Sequence, residues 1–100
     1  MMIVIEGQPV TSGPTTTVAI VGQSAGWQFE PAEVEIPVGG TVTWENRTGD
    51  AHTITGDDLA FADSGLIGLN QSYAQTFTEP GVYHYRCGPH PWMTGTVIVH

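Results

Sequence analysis

The sequence predicts an all-β fold, a Greek-key β-sandwich of about seven or eight strands, and three observations carry that prediction. Apolar and polar residues alternate with period two in short bursts along most of the chain. Thirteen Gly and seven Pro punctuate those bursts, and Thr and Val are abundant between them. No stretch keeps a helical period for more than about one turn.

Residues 1–16 read as an N-terminal extension or edge strand, with "TSGPTTT" (11–17) leading into the first good strand, and residues 17–100 as the sandwich domain. Val18 and Ile20 alternate in "TVAIVG". Val34, Ile36 and Val38 then alternate with Glu33, Glu35 and Pro37, and "VGG" turns the chain into Val42 and Trp44. From Asp57 to Asn70 the pattern lapses, which predicts a long crossing loop with one short strand. Tyr73, Gln75 and Phe77 share the face of the next strand. After "EPG", Tyr83, Tyr85 and Cys87 share the face of another. One wet face and one apolar face per strand is the expectation for antiparallel sheets over a shared core.

One hundred residues are enough for one domain with a modest core. Ten acidic residues face only Arg47 and Arg86, a net charge of -8. Such a chain is repelled by nucleic acid and by anionic membranes; the charge either favours a cationic partner or simply keeps the protein soluble, as acidic surfaces commonly do. No window approaches the ~20 apolar residues that span a bilayer, so membrane insertion by this chain is not expected. "MMIVIE" lacks the basic and apolar regions of a secretory signal. Cys87 is the sole cysteine and has no internal disulfide partner.

The stretch "CGPHPWM" (87–93) concentrates the chemistry. A thiol, an imidazole and a thioether stand at Cys87, His90 and Met93, in a loop stiffened by Pro89 and Pro91. Such a run suits a hinge, a nucleophile or part of a metal site. As ligands the three are soft, and copper suits all of them, whereas zinc has little use for Met.

A copper site of this kind needs a second imidazole. His84 shares parity with Val82 and Arg86 and points away from the Cys87 face, and His100 is terminal and expected to fray. His52 sits just past "TWENRTGDA", where a strand ends 35 positions before Cys87. A neighbouring loop at the same end of a sandwich would place it there.

"VTWENRTGDAHTIT" and "FTEPGVYHYRCGPHPWMTGTVIV" resemble the cupredoxins, the small blue-copper proteins, and specifically the plastocyanin and amicyanin group. The short His-to-Met gap is most like that of the amicyanins. The resemblance covers roughly 17–99 and implies one type 1 copper held by His52, Cys87 and His90, with Met93 as the weak axial ligand. It implies a monomeric electron-transfer protein, extracytoplasmic (periplasmic or at the cell surface). Thr53 stands where related proteins often carry Asn, so its backbone N–H is expected to reach the Cys87 sulfur while any side-chain brace differs. Gln75 departs from an otherwise aromatic stripe and needs hydrogen-bond partners if buried.

Gly88, Pro89, Pro91 and Trp92 are expected to form an apolar collar around His90, joined by Leu66 or Ile67 and suited to brief docking of a redox partner, with core packing under the loop as the alternative for Trp92. Arg86 is a second candidate contact or, more simply, an ordinary surface charge, and Asp57, Asp58 and Asp63 are a candidate acidic patch or simply a solvated loop. With four ligand positions filled, no open position remains for substrate, which argues against an enzyme. Three rivals stand beside this reading. A copper carrier or storage protein would use the same ligands. A Cys87 nucleophile leaves Met93 without a role, and a metal-free binding sandwich leaves the whole ligand set to coincidence.

Overall fold

Eight strands form two four-stranded sheets in the computed structural model, which describes residues 15–23, 26–57 and 63–100. They are β1 (Thr15–Val21), β2 (Gln28–Glu30), β3 (Glu33–Ile36), β4 (Thr41–Asn46), β5 (Thr55–Gly56), β6 (Ser72–Thr76), β7 (Gly81–Arg86) and β8 (Thr94–Val99). One sheet runs β2-β1-β4-β6 and the other β3-β8-β7-β5. No helix among the described residues is long and apolar enough to cross a membrane.

The period-two pattern translates directly into burial. Val42, Trp44 and Asn46 on β4, and Val97 and Val99 on β8, point into the space between the sheets. Each large apolar side chain taken fully out of water contributes about 1.5–3 kcal/mol. Tyr85 of β7 joins the layers: its ring meets Trp44 edge-on at 5.2 Å and Phe29 at 4.8 Å. It fits because its cross-strand neighbours are both glycines, Gly56 on β5 and Gly95 on β8. A Cβ on Gly95 would run into the Tyr85 ring.

Three expectations change. The sheets are not purely antiparallel, since β1 pairs with β4, and β3 with β8, in parallel. The chain leaves the first sheet for β3 and returns for β4, so β4 runs in the direction of β1; a half-wet strand alternates the same way in either pairing. Val38 does not continue the buried face of β3. It is 43% exposed at the second position of the turn Pro37–Gly40, where Gly40 N–H donates to Pro37 O and Gly39 takes φ 89°. His100 is anchored, because its N–H donates to Ile36 O and its carbonyl accepts from Val38 N–H. Its side chain is exposed.

Thr15 and Thr16 open β1; residues 1–14 of the expected extension, and Asp58, lie outside the described residues. Within the expected crossing loop, an isolated bridge pairs Ile67 with His52. Gln75 is half-buried and satisfied, accepting from the Tyr73 hydroxyl at 3.0 Å and donating to Thr76 O at 2.9 Å.

Candidate metal centre

β4 ends at Asn46, and the turn that follows is built on that one side chain. Asn46 Oδ1 accepts from both the N–H and the hydroxyl of Thr48, each at 2.8 Å. Its Nδ2 donates to Asp50 O at 2.7 Å and Ile67 O at 2.8 Å. An N–H faces one end of the amide and two carbonyls the other, so its orientation is unambiguous, and this fully buried group has every bond it can use. The turn delivers His52, also fully buried, into a backbone bridge with Ile67 on both sides (3.1 and 2.7 Å).

The loop after β7 is closed by three backbone bonds. His90 N–H donates to Cys87 O, Met93 N–H to His90 O and Cys87 N–H to Met93 O, at 3.1, 2.9 and 3.0 Å. Two successive four-residue turns, Cys87–His90 and His90–Met93, therefore set the ligand candidates three positions apart, which gives the C-x-x-H-x-x-M spacing its physical meaning. Pro91 takes the second position of the latter turn, where its fixed φ costs nothing.

These two segments bring the predicted donors together. Nδ1 of His52 lies 3.7 Å from the Cys87 sulfur and Nδ1 of His90 lies 3.4 Å from it. The three donor atoms all fall within 4.8 Å of one another. Donors bonded at about 2.0 and 2.3 Å to one four-coordinate metal ion sit about 3.5–3.7 Å apart, so the site is already of metal-binding size. Met93 is buried in the same core cluster as Cys87. Among the described residues these soft sulfur and imidazole donors gather without a carboxylate, and such a set fits one copper ion.

Electrostatics keep the first imidazole neutral. Burial lowers the His52 pKa, the neighbouring His90 lowers it further, and Asp50 acts in the opposite sense. A neutral ring is the form that offers a lone pair to a metal. With Nδ1 turned to the sulfur, Nε2 carries the proton and donates to Thr48 Oγ1 at 2.8 Å. The Thr48 hydroxyl in turn donates to Asn46 Oδ1.

The Cys87 sulfur accepts the Thr53 backbone N–H at 3.4 Å, as expected. The brace across the site is present in another form. Gly88 N–H donates to Thr53 Oγ1 at 2.7 Å, and Thr53 and Thr55 share a bond of 2.9 Å. Thr55 donates to the Asp63 carboxylate at 3.0 Å. Because the carboxylate only accepts, every hydroxyl in this chain has one sense: Gly88 to Thr53 to Thr55 to Asp63.

Around the loop, Gly88, Pro89, Pro91 and Trp92 are exposed, Trp92 at 54%. Leu66 is exposed too, whereas Ile67 is buried by its bridge to His52 and drops out of the collar. Arg86 pairs with Asp57 at 2.6 Å, and Asp63 is engaged by Thr55 and by Gly65 N–H. His84 is exposed and bonded to Thr96, away from the site. Sequence reasoning missed Thr48, four residues before His52, and Trp27, whose ring packs on both imidazoles. Trp27 was signalled by its parity with buried Phe29.

A two-sheet sandwich that gathers a thiol and two imidazoles between loops at the ends of β4 and β7 is a metal-binding β-sandwich. The chain belongs to the plastocyanin/azurin family of copper binding proteins, whose pattern it matches over residues 16–100. It is 37% identical over 95 residues to amicyanin of Paracoccus denitrificans, covering 91% of this chain and 72% of the relative. It is 35% identical over 100 residues to chloroplastic plastocyanin of Tetradesmus obliquus, covering 88% and 69%. A purple cupredoxin from Nitrosopumilus maritimus has the same fold, with a TM-score of 0.75 at 33% identity over 85% of this chain and 99% of that one.

Proposed function

We propose that this protein is a one-electron carrier whose single copper is held by His52, Cys87, His90 and Met93. The observation that carries the reading is the approach of both imidazole Nδ1 atoms to one buried thiol, at 3.4 and 3.7 Å, in a loop closed by its own backbone bonds. Copper bound there supplies single electrons by passing between Cu(I) and Cu(II). The residues supply rigidity: the stapled loop, the Asn46–Thr48–His52 chain and the Thr53 brace leave the donors little freedom to rearrange between the two states. Four protein donors leave no open position for substrate, which supports a carrier and not an enzyme.

The domain we assign to this activity spans residues 17–100. Redox partners dock at the exposed collar of Gly88, Pro89, Pro91 and Trp92 beside His90, and the net charge of -8 favours partners with a cationic face. The chain acts as a monomer in an extracytoplasmic setting.

The test is the visible spectrum on adding Cu(II). An intense thiolate-to-copper band is expected, and it is lost in Cys87→Ser. A colourless protein with a freely titrating thiol overturns the assignment. Electron self-exchange separates this reading from a copper carrier or store: fast exchange is expected, and slow exchange favours the carrier.

A further inference from the structure

Trp27 lies outside the ligand set and touches both of its imidazoles. Its ring centroid is 4.3 Å from that of His90, 5.1 Å from His52 and 6.3 Å from Trp92, with the two indoles nearly parallel at 7°. His90 is also 5.9 Å from Trp92, so the half-buried ligand ring packs against two tryptophans. The backbone places Trp27 deliberately. Gly22 adopts φ 108°, a conformation that L side chains rarely adopt, and a Cβ there would run into the Gly26 carbonyl. Gly26 N–H closes the same turn onto Gln23 O at 2.7 Å. This turn between β1 and β2 carries Trp27 onto the loop that follows β7.

Ordinary core packing would explain a half-buried tryptophan, but not one in ring contact with both candidate imidazole ligands. We propose that Trp27 is a positioning residue of the metal centre. Its ring holds the His90 imidazole in its ligating orientation and keeps water from that side of the site. Water favours the more highly charged state of a bound ion, so the cover favours the reduced form. A ring pair of this kind is worth roughly twofold to tenfold in an equilibrium constant. The proposal rests on the copper assignment above.

The experiment compares the parent with Trp27→Ala, Trp27→Phe and Trp92→Ala, using two readouts. In the copper-loaded proteins, Trp27→Ala is expected to lower the reduction potential by the equivalent of roughly fivefold to tenfold in relative affinity, tenfold being about 59 mV for one electron. Trp27→Phe, which keeps a ring and guards against misfolding of the alanine variant, is expected to keep most of the parent value. Trp92→Ala is expected to shift it by less than about twofold. In the metal-free proteins, NMR is expected to show the His90 ring protons displaced by the Trp27 indole in the parent and released in Trp27→Ala. This second readout stands even if copper fails to bind, so failure of the copper assignment and failure of this proposal are separable. A Trp27→Ala potential within about twofold of the parent, a Trp27→Phe potential as low as that of Trp27→Ala, a Trp92→Ala shift as large as that of Trp27→Ala, or unmoved His90 ring protons overturns it.

Discussion

Thr48 Oγ1 lies 2.8 Å from Nε2 of His52, the nitrogen opposite the one that faces the Cys87 sulfur. This contact fixes both the tautomer and the tilt of a buried ring, and Asn46 fixes the contact in turn. The orientation of the His52 ring is therefore set by a neutral hydroxyl and an amide, with no carboxylate needed on that nitrogen.

Thr48→Val keeps the side-chain shape and removes the acceptor. The buried Nε2–H is then unsatisfied, which costs about 1–3 kcal/mol of folding stability. Copper affinity is expected to fall about 10–100-fold. Chemical denaturation of the metal-free protein and a competitive copper titration measure the two effects. Thr48→Ser restores the hydroxyl and most of both; a valine variant as stable and as tight-binding as the parent contradicts the assignment.

Thr53 has two separable roles. In Thr53→Val the backbone N–H still reaches the sulfur, so the thiolate-to-copper band persists. Gly88 N–H loses its acceptor and the chain to Asp63 is cut, at a cost of about 1 kcal/mol. Hydrogen exchange at the Gly88 amide is expected to accelerate while the colour stays. Loss of colour would show that the side chain and not the backbone governs the sulfur.

Gly95→Ala places a methyl group where the Tyr85 ring lies. Neither β7 nor β8 is free to yield, since their register continues from Gly81 to Arg86. Overpacking of this kind costs about 1–3 kcal/mol. Thermal unfolding is expected to show a clear drop in Tm, and an unchanged Tm would mean that the ring repacks.

The Tyr85 hydroxyl responds to alkali. Burial pushes its pKa up to about 12 from the ordinary 10.0, against an opposing contribution from Trp44. Between those values the folded protein keeps a proton that the unfolded chain has lost, so stability is full below pH 10 and falls as pH rises toward 12. At about 1.4 kcal/mol per pH unit the loss reaches about 3 kcal/mol. Denaturation curves at pH 9, 10 and 11 measure it, and Tyr85→Phe should flatten the slope. An alkaline slope equal in parent and variant assigns the effect elsewhere.

Much of this was legible in the sequence because it is local. Alternation at Val42 and Trp44 revealed the buried face of β4, and the Cys87, His90 and Met93 spacing revealed a loop with its donors on successive turns. Those properties depend on residues a few positions apart, where backbone geometry leaves few choices. Val38 was misread because alternation runs on past Ile36, where β3 ends, into the turn Pro37–Gly40.

The sequence by itself determined most strand faces and the donor types, and it pointed to His52 as the second imidazole. Tertiary structure alone decided the parallel pairing of β1 with β4, the nitrogen that His52 turns to the sulfur, and the arrival of Trp27 over His90. Each of these joins segments far apart in the chain, such as Trp27 and His90. Contacts of that kind arise only when two sheets pack, because no local preference encodes which distant side chain fills a given space.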